Sequence, residues 1–150
     1  MNGEYIFFPD AAKRQNTDNE FNWTVNGSPV VITAEQTVFG HLTHEKLWLF
    51  MGSVGHTSQR NLFAFQFFIP YIDENPIDTI YELGSLFKYH HSIAGPAGQP
   101  GIRVVSAVRA ELAIKLNPAE GTASGTFNAT FSGEYSALHP QGSFTLIKDR

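Results

Sequence analysis

A period-two alternation between residues 101 and 116 constrains the fold more than any other feature of this chain. In "GIRVVSAVRAELAIKL" the even positions are apolar, with Ser106 as the exception, while Arg103, Arg109, Glu111 and Lys115 occupy odd positions. Alternation with this period is typical of a half-buried β-strand. It predicts one long strand, or two strands joined by a β-bulge. A helix is the competing interpretation, because "VRAELAIKL" is rich in helix-forming residues.

The stretch that follows repeats the alternation and predicts a hairpin. In "TASGTFNATFS" the residues Phe127 and Phe131 share an apolar face, while hydroxyl and amide side chains share the other face. The intervening "NPAEG" has the composition of a turn. The closing "GSFTLIK" adds Phe144 and Leu146 to a core-facing side. We therefore expect consecutive antiparallel strands in the last third of the chain.

Upstream segments extend the same pattern. "FNWTVNG" contains Asn-Gly, a strong hairpin signal, and "KLWLFMGSV" and "NLFAFQFFIPYI" are apolar on both faces, as central strands are. With "TIYEL" and "SLFKYHHSI" the chain has about nine predicted strands. The prediction is an all-β, single-domain antiparallel β-sandwich, with barrel-like closure as the alternative. Residues 1–20 are interpreted as a loosely packed N-terminal segment.

Composition excludes several classes of protein. A chain of 150 residues fits one domain. The net charge is −4 and the ten Lys and Arg are scattered, which argues against nucleic acid as a partner. The absence of cysteine removes disulfides and thiolate chemistry. No segment approaches the ~20 apolar residues of a membrane span, and no signal peptide is recognisable, which predicts a cytoplasmic protein if the chain is complete.

The blocks "FNWTVNG", "IYEL", "LAIKL", "GTASGTFNATFS" and "GSFTL" resemble a group of uncharacterised bacterial β-sandwich domains. The matching blocks lie in residues 21–27 and 78–148. Many members of that group are small lipoproteins of unknown function, and this chain departs from them because it has no lipidated cysteine. The resemblance implies a sandwich fold and supplies no catalytic residues.

Two adjacent histidines in "LFKYHHSIAGPAGQPGIR" are the main candidates for a functional site. Side chains alternate between the two faces of a strand, so His91 shares the apolar face with Phe87 and Tyr89, and His90 is expected to face solvent. The two rings are therefore not expected to touch the same ligand. The following loop, residues 94–101 with Gln99, is the predicted rim for a partner.

Further candidates are acidic and aromatic. Asp73, Asn75 and Asp78 place hard oxygen ligands close together in sequence and would suit Ca²⁺, although such residues also form turns. No other cofactor is indicated. Most of the aromatic side chains are expected in the core, but Trp48, Phe68 and Tyr71 lie off the main inward register or at a strand end. These three are candidates for a ligand cavity or partner surface.

Three classes of function remain open. The first is a non-catalytic binding or interaction module for an unknown protein or small molecule, with a homo-oligomer as one form of it. The second is a carrier that holds an apolar ligand between the sheets. The third is a metal-dependent hydrolase that uses histidines from separate loops. The candidate ligand or partner residues are His90, His91, Trp48, Phe68, Tyr71 and Gln99.

Overall fold

A computed structural model describes residues 18–26, 28–56, 59–94 and 99–149, without the side chains of residues 94 and 100. Within these residues the chain forms eleven strands and two short 3-10 turns, Gly84–Leu86 and Gly133–Tyr135. The strands are β1 (Glu20–Val25), β2 (Ile32–Thr33), β3 (Gln36–Leu42), β4 (Leu47–Val54), β5 (Phe63–Pro70), β6 (Ile77–Glu82), β7 (Phe87–Ala94), β8 (Pro100–Ser106), β9 (Arg109–Asn117), β10 (Thr122–Thr130) and β11 (Pro140–Ile147).

Two antiparallel sheets pack face to face, which confirms the predicted sandwich. Sheet A has the strand order β2-β1-β11-β10-β9-β6, and sheet B has the order β3-β4-β5-β7-β8. The eleven described strands do not close into a barrel. β4 and β5, which are apolar on both faces, lie inside sheet B as expected. No helix in the described residues is long and apolar enough to cross a membrane.

The long alternating stretch is two strands that belong to different sheets. β8 pairs with β7 in sheet B, and β9 pairs with β6 and β10 in sheet A. The prediction of one strand, or of two joined by a bulge, was therefore wrong at Ala107, where the chain crosses between the sheets. The alternation continues through the crossing because sheet B has apolar side chains on both faces. In β9 the predicted inward face is buried, and its last three residues are Leu112, Ile114 and Leu116.

The structure also differs from two predictions about the N-terminal part of the chain. Trp23 of β1 pairs with Ile32 of β2, so the predicted hairpin exists, but six residues connect its strands and Gly27 lies outside the described residues. Of the segment interpreted as loosely packed, residues 1–17 lie outside the described residues. Its last residue, Glu20, begins β1.

Aromatic rings fill the space between the sheets. The fully buried ring of Phe21 lies within 5.4 to 6.1 Å of Phe67, Phe127 and Phe144, measured between ring centroids. Aromatic pairs at such separations stabilise a core beyond the effect of the area they bury. The ring of Phe21 also occupies the space above Gly52, where a Cβ atom would lie 2.3 Å from Phe21 Cδ1.

Sheet B is also buried on its outer face, which points away from sheet A. Along β4, Leu49 and Met51 alternate with Trp48 and Phe50, which belong to the core between the sheets. We call the buried residues of this face the outer cluster. They are Val38, Leu49, Met51, Ala64 and Phe68. Sheet B therefore has apolar packing on both sides.

The contact between Phe21 and Gly52 gives a stability prediction. Gly52→Ala should lower the free energy of unfolding by about 1 to 3 kcal/mol, because an overpacked core must shift. Gly40→Ala is the matched control, since this glycine also lies in sheet B and nothing lies within 4 Å of its added Cβ. The control should change stability by less than about 1 kcal/mol. Urea unfolding of both variants measures the difference, and equal effects would contradict the packing described here.

Candidate functional site

The tandem histidines lie on opposite faces of sheet B. The His91 ring stacks on Tyr89 on the side that faces sheet A, with 5.1 Å between ring centroids. The His90 ring lies on the outer face, where its Nε2–H donates to Gln66 Oε1 at 3.0 Å. His90 is fully buried, so the expectation that it faces solvent was wrong. Alternation along a strand assigns the face of a side chain but does not tell whether that face is covered.

His91 belongs to a network that connects the two sheets, which we call the rim cluster. It consists of His91, Arg103, Glu134 and Tyr135. Because the carbonyl oxygen of Ser92 can only accept, His91 Nδ1 donates to it at 3.1 Å, and His91 Nε2 shares a hydrogen bond of 2.8 Å with the Tyr135 hydroxyl. Both ring nitrogens are thus engaged within the protein.

Arg103 extends the rim cluster to the protein surface. Its Nη1 lies 3.4 Å from the Tyr135 hydroxyl and 3.2 Å from Glu134 Oε2. The Arg103 and Glu134 side chains are 50% and 69% exposed, so water screens their ion pair and it contributes little to stability. Since Tyr135 belongs to the connection between β10 and β11, the cluster fastens sheet A to β7 and β8. Its geometry fits a structural contact rather than an open binding site.

Tyr89 lies beneath the rim cluster and has a perturbed acidity. Burial, together with the nearby Tyr135 hydroxyl, raises the pKa of Tyr89 to about 12. A raised folded-state pKa means that the folded protein holds this proton more tightly than the unfolded chain. The contribution to stability is complete below the ordinary pKa of 10.0 and is lost as the pH rises toward about 12.

Tyrosine titration tests this assignment. In the folded protein the last tyrosine to ionise should do so near pH 12, and Tyr89→Phe should remove that step. Tyr81→Phe is the control and should leave it in place. Ultraviolet difference spectra record the ionisation while circular dichroism verifies that the sandwich remains folded. Ionisation of Tyr89 together with the exposed tyrosines would show that its hydroxyl is not buried.

Two of the three predicted aromatic candidates meet at one end of the sandwich. Tyr71 stacks on His41 with centroids 4.0 Å apart and lies 5.2 Å from the ring of Trp48. The Tyr71 hydroxyl donates to Glu74, which raises the pKa of Tyr71. Trp48 is only 1% exposed and therefore offers no free ring face to a ligand. Phe68 belongs to the outer cluster on the other side of sheet B.

The structure does not assemble the predicted calcium ligands. Asp73 Oδ1 accepts the backbone N–H of Asn75 at 2.9 Å and so caps a turn. Asp78 lies on β6 opposite Lys115 of β9. Within the part of the chain that the structure describes, no three His, Asp or Glu side chains are placed to hold a metal ion. Gln99 is exposed before β8, and residues 95–98 of its loop lie outside the described residues.

Among the described strands, β6 has the edge that is most accessible to another strand. β2 has only two residues, and the free edge of β3 bonds to Asp149, whose N–H donates to Phe39 O at 2.9 Å. The side chains of β8 are mostly half-buried. Of the described strands only β9 pairs with β6, four of the six residues of β6 are exposed, and Ile80 is 67% exposed. An edge strand of this kind has backbone groups available for another strand.

A depression beside β6 enlarges this surface, and we call it the edge groove. It has a volume of about 750 Å³ on the outer face of sheet A. Ala113 forms its floor because this small residue lies between Ile80 on one neighbouring strand and Thr126 on the other. Hydroxyl and charged side chains surround it. The described side chains that line it include Asp78, Thr79, Ile80, Lys115, Ser124 and Thr126.

The two ends of β6 beside the edge groove differ in the charges that face each other. Asp78 lies opposite Lys115, whereas Glu82 lies directly opposite Glu111. Among the described residues none of these four side chains forms an ion pair within 4 Å. Like charges directly opposite in an antiparallel sheet are destabilising. Within the described part of the chain, the Glu82 end of β6 is therefore an acidic position that no ion pair neutralises.

Comparison with known proteins identifies no relative: no family model matches the chain, and no match was found among the curated proteins or the solved structures.

Sequence reasoning missed the edge groove and the rim cluster for different reasons. The groove residues were recognised only as the polar side of alternating strands, and Asp78 was assigned to calcium. An exposed isoleucine between acidic residues in "IDTIYE" was the available signal. The rim cluster had no such signal, because Tyr135 lies 44 residues from His91.

Proposed function

We propose that this protein is a non-catalytic interaction module that binds an extended peptide segment along β6. The exposure of Ile80 on an edge strand, which pairs with another described strand on one side only, is the observation that carries the proposal. In strand addition, main-chain hydrogen bonds supply affinity and alternate side chains supply specificity. The partner would place an apolar residue beside Ile80 and bury its exposed surface.

Charge gives the bound segment a direction. A Lys or Arg of the partner meets Glu82 and Glu111, which form no ion pair with another described residue. At the other end, Asp78 and Lys115 balance each other, and the edge groove has room for an uncharged polar side chain. We therefore expect a segment with one basic residue at the Glu82 end and an apolar residue two positions further along.

The same charges disfavour pairing between two copies of β6. An antiparallel pair centred on Ile80 would place Asp78 of one copy opposite Glu82 of the other. Such like-charge contacts protect edge strands from aggregation. The acidic residues thus determine which strand can pair with β6, because they repel a second copy of the strand and attract a basic segment.

The carrier hypothesis has less support than the interaction module. Ring centroids in the core lie 4.8 to 6.5 Å apart, so aromatic side chains occupy the space in which an apolar ligand would lie. The hydrolase hypothesis draws no support from His91, whose ring nitrogens both have partners inside the protein.

The variant Glu82→Lys tests the binding function of β6 independently of the stability of the protein, because the two should change in opposite directions. The variant replaces a like-charge pair by an opposite-charge pair with Glu111, so the free energy of unfolding should rise by about 0.2 to 1 kcal/mol. Preference for a basic peptide should be lost at the same time. Urea unfolding measures the first effect, and titration of the labelled protein with acetyl-KTVTT-amide and acetyl-ETVTT-amide, followed by amide NMR shifts, measures the second.

Glu20→Lys is the matched control, because it makes the same charge change on sheet A opposite Thr145. It should keep the preference for the basic peptide, and shifts in the native protein should concentrate in residues 77–82. Equal loss of binding in both variants would indicate non-specific attraction and would contradict the proposal. Shifts concentrated on β8 would contradict it as well.

A further inference from the structure

Two exposed valines lie at the β2 edge of sheet A, which is the edge opposite β6. Val30 is 66% exposed and Val31 is 60% exposed, although both lead directly into the strand that begins at Ile32. Consecutive side chains of an extended chain point to opposite faces of a sheet. A partner that docked on one face would therefore contact only one of the two valines, whereas a strand added at the edge contacts both.

The ladder between β1 and β2 determines which backbone groups of this edge point outward. Ala34 N–H donates to Phe21 O at 2.8 Å, which continues the register of the two strands. In an antiparallel ladder, hydrogen-bonded and non-hydrogen-bonded residue pairs alternate. Ile32 therefore directs its N–H and C=O toward β1, and Thr33 directs its own away from β1. By the same alternation, the N–H and C=O of Val31 also point outward.

The stretch that forms this edge contains no charged residue. Residues 28–34 read "SPVVITA", whereas β6 contains Asp78 and Glu82 and β8 contains Arg103. Charged side chains are one of the means by which proteins protect an edge strand from pairing with another chain. β2 is therefore an edge at which two copies can pair without like charges facing each other.

We propose that two copies of this protein form a symmetric dimer in which their β2 strands pair antiparallel about Ile32. In this register Val31 of each copy lies opposite Thr33 of the other, so the outward N–H and C=O groups of these residues exchange hydrogen bonds. The two-fold axis repeats every contact, which compensates for the shortness of β2. Pro29 lies opposite Glu35 and ends the pairing, because proline has no N–H to donate.

The dimer joins the two copies of sheet A into one continuous sheet. The strand order places β6 at the edge opposite β2, so pairing through β2 leaves β6 accessible at both ends. The dimer does not depend on the function proposed for β6. A partner with two basic segments would bind both ends of one dimer and gain affinity from the second contact.

Sedimentation equilibrium at protein concentrations up to about 1 mM tests the dimer. The mass should rise with concentration from the 16.6 kDa of one chain toward twice that value. Val31→Lys introduces a charge at the pairing edge and should weaken dimerisation by at least about tenfold. Val108→Lys is the matched control, because Val108 is 59% exposed and lies between β8 and β9, and it should leave dimerisation unchanged.

Circular dichroism verifies that both lysine variants fold. A monomer at every concentration overturns the proposal, and so does an equal loss of dimerisation in the two variants.

Disulfide trapping tests the register, since the chain has no cysteine of its own. Opposite residues of a hydrogen-bonded pair have Cα atoms about 5.5 Å apart, which a disulfide can span. Mixing Val31→Cys with Thr33→Cys in a glutathione redox buffer should therefore yield covalent heterodimers. Each variant alone should yield few covalent dimers, because identical residues lie about 8 Å apart across the axis, beyond the reach of a disulfide. A mixture that yields no more than the single variants overturns the proposed pairing.

Discussion

The close approach of Phe21 to Gly52 sets the distance between the two sheets. Packed sheets lie about 10 Å apart, and the buried ring of Phe21 fits between them because residue 52 has no side chain. The same ring contacts aromatic side chains from both sheets. The position of Phe21 therefore aligns β1 and β11 in sheet A with β4 and β5 in sheet B.

Because aromatic side chains fill the space between the two sheets, any binding surface has to lie on the outside of the molecule. Sheet B is buried on both faces, so its polar pair of His90 and Gln66 is part of the packing rather than a surface for ligands. Sheet A has a solvated outer face and ends at β6. The open edge with exposed Ile80 belongs to sheet A.

Periodicity in the sequence predicted the strands and the sandwich but not the pairing across the core. The inward face of β9 and the turn before β10 followed directly from local pattern, because alternation and turn composition are local properties. The crossing at Ala107 did not, since both sheets continue the same apolar alternation. The prediction that His90 faces solvent was wrong because alternation along a strand assigns the face of a side chain and not whether that face is covered. The rim cluster and the edge groove likewise depend on which strands become neighbours.

The pairing of β1 with β11 has a consequence for synthesis on the ribosome. Phe21 faces Phe144 across these two strands, and Asp149 bonds to Phe39 of β3. The meander of β3, β4 and β5 can form as soon as its residues emerge, but sheet A lacks a central strand until β11 follows. A nascent chain thus presents a phenylalanine-rich sheet without its opposing layer, and such a surface is prone to aggregation. Completion of the last strand converts that surface into an interior.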